Sequence, residues 1–190
     1  FDVAAADAAT EPGKSPGEAQ LWRGRAAWHL GQPEAAIVAW KQAAADPAYV
    51  SAAGDAIADA RGQLQTLVKL LDRYGVMRVA GADGPGAGPA EWRSLAGQFD
   101  ELARAAGDSL VGRRAVLIAA DCFGYAGDRA EAVSRFSGNK DVHPALGDWV
   151  RWRLAALDTP NAARHLQELL DRHPDGPVAL DARVALAEVT

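Results

Sequence analysis

The residues that could carry chemistry are few. One cysteine, Cys122, lies in AVLIAADCFGYAG, and four histidines stand at positions 29, 143, 165 and 173. A reactive thiol needs cationic neighbours and exposure to hold its thiolate. Cys122 instead follows the carboxylate of Asp121 inside an apolar run, so it reads as a small buried side chain. The histidines form no HExxH, no Cys/His ligand spacing and no i, i+4 pair, so no metal site is expected. His29 stands near a helix end, where a cation suits the helix dipole. Carboxylates such as Asp121, Asp128, Glu131, Asp148 and Glu168 fall where helix faces and caps would put them. No GxSxG occurs. The glycines of VMRVAGADGPGAGP lack both a following Lys-Ser or Lys-Thr and a preceding strand, so they do not make a phosphate loop. This points to no catalytic residue and no cofactor. Binding is another matter. Trp149-Val150-Arg151-Trp152 puts two indoles at i, i+3 with Arg151 and Arg153 alongside. That pattern suits an aromatic patch with charged hydrogen-bond donors, or the packed face of a helix hairpin with solvated arginines.

The elements that must position these residues are helical. The 190 residues suffice for one domain or one elongated array with a sizeable core. Alanine is scattered throughout, while Val and Ile never form the alternating runs of strands. The net charge of -5 and pI of about 5.3 argue against nucleic acid as partner, since phosphate binding wants a basic stripe. A single cysteine excludes an intramolecular disulfide. No stretch has the roughly 18 apolar residues of a membrane span. The chain starts at Phe1 without a signal-peptide pattern, which leaves the compartment open.

Residues 1–17, with Pro12, Gly13, Pro16 and Gly17, read as a flexible lead-in with a short helix at 3–9. Leu21, Gly24 and Trp28 share one face of a helix over 18–30. Gly31 ends it, and Pro33 suits the first turn of the next, with Ala36, Ile37, Trp40, Ala43 and Ala44 as its stripe. One long helix is expected from Ala48 to Tyr74, capped by Gly75. An irregular stretch at 76–89 follows, long enough to be a contact loop. Further helices are expected at 90–106, 110–125, 129–136, 148–157, 162–173 and 177–189.

The first hairpin turn is repeated. WHLGQPEAAIVAW and FGYAGDRAEAVSRF share a turn glycine (Gly31, Gly127), a small residue five positions on (Ala36, Ala132) and an aromatic four further (Trp40, Phe136). Ala162 and Leu166 take the small and large places in a weaker third copy. With Gly24 and Ala120 midway along the first helices, and Pro47 and Pro174 near the unit ends, the chain resembles a degenerate tetratricopeptide-repeat protein. The resemblance covers about half the chain and leaves the middle, 48–107, outside the pattern. The last segment, LQELLDRHPDGPVALDARVALAE, resembles junctions in bacterial cell-envelope repeat proteins, with His173 in the aromatic place and Gly176 in that of serine.

The resemblance implies an all-α fold: an α-solenoid of stacked antiparallel helix hairpins, tetratricopeptide-like, of about eight or nine helices. Its function would be that of a non-enzymatic scaffold binding a protein or peptide partner. A bacterial envelope or periplasmic setting is favoured, with a cytoplasmic one open. The rival readings are an accessory region of a cell-wall enzyme and a sensor domain of a larger cytoplasmic protein. If first helices line the binding surface, the candidate contacts are Arg25, His29, Arg114, Asp121, Tyr125 and Arg151, joined by Trp149 and Trp152. No nucleic acid partner is expected.

Overall fold

The glycine–aromatic contrast that opens the chain is a packing device. Gly24 is buried, and a Cβ placed on it would lie 2.3 Å from the indole of Trp40. Only a glycine lets the ring sit against the helix backbone. The Trp40 indole Nε1–H then donates to the carbonyl of Leu21 at 3.2 Å. These details come from a computed structural model that describes residues 15–83, 86–141 and 144–189, the side chains of 80–83 and 144–145 apart. The fold is all-α. Among the described residues there are nine α-helices and one short 3-10 turn, and no strand. The proposed helix at 3–9 lies outside the described residues.

The elements are α1 (Pro16–His29), α2 (Pro33–Ala43), α3 (Val50–Asp83), α4 (Pro89–Ala106), α5 (Leu110–Tyr125), α6 (Arg129–Gly138), α7 (Pro144–Leu157), α8 (Ala162–Arg172) and α9 (Ala179–Val189). Adjacent helices pack as pairs: α1 on α2, α6 on α7, α7 on α8 and α8 on α9. Two boundaries correct the sequence reading. Pro16 and Gly17 belong to α1, whose N-cap is Ser15, its side chain accepting from the Glu18 N–H at 3.2 Å. Gly75 is no cap: α3 runs on to Asp83, so 76–83 are helical and the expected irregular stretch contracts toward the segment before Pro89. Tyr74 and Met77 are both buried around that glycine, and this burial carries the helix through a residue of poor propensity.

The chain forms two compact units. The first takes the described residues of 1–72 and 101–114, the second those of 73–100 and 115–190. The first unit's core gathers Leu21, Ala27, Ala36, Trp40, Ala43, Ala53 and Ala60, with Trp28 and Ile37 packed against it. In the second unit, Leu117, Ala120, Phe136, Val150 and Leu154 form one cluster, and Leu166, Leu169 and Ala182 another. Trp40 and Phe136 are therefore core knobs, as the repeat pattern expects, whereas Trp28 is half-buried.

The two matching turns share a backbone geometry. Gly31 and Gly127 have φ of 73° and 85°, in the left-handed region. After them, the Gln32 N–H reaches the Ala27 carbonyl and the Asp128 N–H the Phe123 carbonyl, each at 2.9 Å. These closures satisfy carbonyls that a helix end leaves open. Gly127 has no neighbour that a Cβ would meet, so Gly127→Ala should lose only the cost of left-handed backbone, about 1–2 kcal/mol. Gly31→Ala should lose more, because its Cβ would also fall 2.4 Å from Leu110 Cδ2. Urea unfolding of the two variants checks the ranking.

Candidate functional site

In the first unit, the end of α1, the start of α2, the middle of α3 and the start of α5 leave an apolar recess of about 120 Å³. Trp28, Pro33, Leu64, Leu67 and Leu110 line it, and Arg114 stands on its wall as the one charged residue among the described lining residues. Leu67 is buried, Trp28 and Leu64 are half-buried, and Arg114 is exposed. No described residue forms an ion pair with Arg114. Of the residues singled out in the sequence, Arg114 lies on this recess. His29 is half-buried in the last turn of α1. Arg25 is exposed on α1 and lies over the ring of Trp22, 4.7 Å from its centroid.

In the second unit the sequence reading needs correction. Asp121 and Arg151, expected on an exposed face, are buried, with 1% and 3% exposure. The helix around Asp121 has no solvent side: 117–122 are buried at every position. A helix apolar on all sides belongs to a core, and LIAADC carries that signature. Asp121 survives there because both its oxygens are used. Tyr74 donates its hydroxyl to one, and Arg153 donates Nε to the other at 2.5 Å. Tyr125, at the end of α5, is 38% exposed and stacks on Trp92 with centroids 4.6 Å apart. Tyr74 meets both rings edge-on, and Arg153 lies 5.2 Å from the Tyr125 ring centroid. Sequence reasoning found Tyr125 and Asp121 and noted Arg153 beside the tryptophans, but it did not join Arg153 to Asp121 and missed Tyr74 and Trp92; the three come from three other helices and share no spacing with Asp121.

Arg151 is held within its unit. Its guanidinium donates to the carbonyls of Lys140 and Gly147, each at 3.2 Å, and to the Asp141 carboxylate at 2.7 Å. Trp149 and Trp152 do not form one patch. Trp149 sets its edge on Phe136, 5.5 Å between centroids, while Trp152 packs against the cluster of Leu166, Leu169 and Ala182. Trp152 does line a second apolar recess of about 160 Å³, with Ala155, Ala162, Leu166, Ala185 and Val189.

Several titratable groups are shifted by their surroundings. Burial, reinforced by the charge of Asp121, pushes the Cys122 thiol up to about 12 from its ordinary 9.0. Burial and Asp121 likewise raise the Tyr74 phenol. The carboxyls of Asp128, Asp141 and Asp158 are lowered by hydrogen bonds from Arg93, Arg151 and His165 respectively. Among the described residues no group of three His, Cys, Asp or Glu could hold a metal ion, and no helix is long and apolar enough to cross a membrane. His143 lies outside the described residues.

These shifts set a pH window. The native Cys122 and Tyr74 keep protons that the unfolded chain releases, so the Cys122 contribution is full below about pH 9 and lost as pH climbs toward about 12, while the Tyr74 contribution begins to fall only above its ordinary 10.0. The three lowered carboxyls contribute above 3.8, and that contribution is lost as pH falls through their native values. Urea midpoints taken across pH should be flat at neutrality and fall above about pH 9. A thiol reagent added to native protein should label Cys122 only as fast as the chain opens.

No family model matches the chain, no curated protein resembles it in sequence, and no solved structure matches its fold.

Proposed function

We propose that this chain is a non-enzymatic, repeat-like helical module that binds a protein or peptide partner, in a bacterial envelope assembly. The observation that carries the binding role is the open apolar recess in each compact unit. Their volumes, about 120 and 160 Å³, lie on either side of the roughly 150 Å³ apolar cavity that accepts a benzene, a size suited to one apolar side chain. The titratable groups of the second unit agree with this reading: Tyr74, Asp128, Asp141 and Asp158 are each hydrogen-bonded to another residue of the chain, and Cys122 is sealed by burial. The tetratricopeptide kinship is part of this proposal and draws support from the repeated turn geometry at Gly31 and Gly127. The envelope setting rests on the residue pattern of 166–188 and is tested by fractionating cells that express the full gene.

The binding role is tested by selecting random linear peptides against the full chain, then repeating the binding with recess-filling variants. Leu64→Phe narrows the first recess and Ala185→Leu the second. We expect convergent peptides whose binding one of these variants abolishes. Failure to enrich any peptide, or peptides indifferent to both variants, would refute the reading.

A further inference from the structure

Resting on that reading, we propose that the recess of the first unit takes an aliphatic side chain from a peptide that carries a single carboxylate beside it. Three observations converge on this occupant. First, Trp28, Pro33, Leu64, Leu67 and Leu110 give a wall that rewards an apolar group by removing it from water. At about 120 Å³ the space suits a leucine or isoleucine better than an aromatic ring. Second, Arg114 stands on the same wall, exposed and without an ion-pair partner among the described residues. A guanidinium offers a planar fork of donors that fits a carboxylate through two parallel hydrogen bonds. Third, Arg114 differs from several arginines of the other unit. There Arg93, Arg135, Arg151, Arg153 and Arg172 each already hold a carboxylate of the same chain. Arg114 stands on a recess, and no acid among the described residues pairs with it.

Charge also limits the ligand. With a net charge of -5 the chain repels polyacidic partners at long range. One carboxylate, from an Asp, a Glu or a peptide C-terminus, gains the short-range pairing with Arg114 while meeting little of that repulsion. The apolar contact then supplies affinity and Arg114 supplies selectivity.

The experiment repeats the peptide selection on the full chain, with wild type and Arg114→Gln as parallel targets. Arg25→Gln, an exposed change on α1, serves as control. Arg114 bears no ion pair among the described residues, so circular dichroism and urea midpoint of the variant should match wild type. The expected result is a wild-type pool in which Leu or Ile neighbours an acid or the C-terminus. Such peptides, resynthesised, should bind Arg114→Gln about tenfold more weakly and Arg25→Gln unchanged. Amidating or neutralising the one acid should produce the same loss on wild type and none on Arg114→Gln. Peptides blocked by Leu64→Phe but indifferent to Arg114→Gln would overturn the carboxylate proposal while leaving peptide binding standing. Peptides sensitive only to Ala185→Leu would overturn it too, by placing the binding in the other unit. An empty selection would sink both this proposal and the reading beneath it.

Discussion

Trp40→Ala should destabilise the first unit by about 3–5 kcal/mol, the range for removing a large aromatic from a core. Trp40 is 3% exposed, fills the notch at Gly24, stands 6.2 Å from the Trp28 ring centroid and donates to the Leu21 carbonyl. Its loss leaves a cavity, removes an interhelix hydrogen bond and opens a gap between α1 and α2 at once. The complementary change is Gly24→Ala. Alanine favours a helix by about 1 kcal/mol over glycine, yet its Cβ would meet the indole at 2.3 Å. The ring is locked in the core and cannot swing aside, so overpacking, typically 1–3 kcal/mol, outweighs the propensity gain. The decisive comparison is the double mutant. In the Trp40→Ala background the notch is empty, and Gly24→Ala should turn from destabilising to stabilising. Urea titrations of the four proteins measure this; a cost for Gly24→Ala that ignores the residue at position 40 would break the account of the hairpin.

Asp121→Ala comes next in size, at about 3 kcal/mol. Removing one partner of a buried ion pair costs about 3–5 kcal/mol because the other is left desolvated. The lower end applies because Arg153 keeps 20% of its side chain in solvent and can turn partly outward. The Tyr74 hydroxyl, buried and stripped of its acceptor, adds to the loss. Asp121→Asn should recover part of the hydrogen bonding but none of the charge balance, and so fall between. The double replacement Asp121→Leu with Arg153→Met, which removes both charges together, should be far milder than Asp121→Ala. Thermal and urea unfolding distinguish these outcomes. Near equality of the single and double variants would mean that the pair contributes packing rather than electrostatics.

Much of the local architecture was legible in the residues. Gly24 and Trp40 lie 16 positions apart in one hairpin, and Gly31 and Gly127 mark turns where left-handed backbone is needed, so short-range pattern sufficed for both. The length of α3 was not legible, because Gly75 looks like a cap until the burial of Tyr74 and Met77 is known. The burial of Asp121 was half-legible: the apolar run around it allows no polar face, but its partners, Tyr74 and Arg153, stand 47 and 32 positions away. The reading of Trp149 and Trp152 as neighbours on one face was correct locally. The two rings do not make one patch, because the helix lies between two clusters and delivers one ring to each. The first recess has walls drawn from four helices, and no spacing rule unites Trp28, Leu64 and Arg114. Arg114 could be picked out by residue type, but its surroundings could not.

The sealing of Cys122 bears on where such a chain can persist. Disulfide exchange requires an accessible thiolate, and this sulfur is fully buried and held protonated. It can neither cross-link two copies nor be captured by glutathione while the fold is closed. The state of this thiol in the folded chain is therefore indifferent to the redox poise around it, and would be the same in an oxidising compartment as in a reducing one.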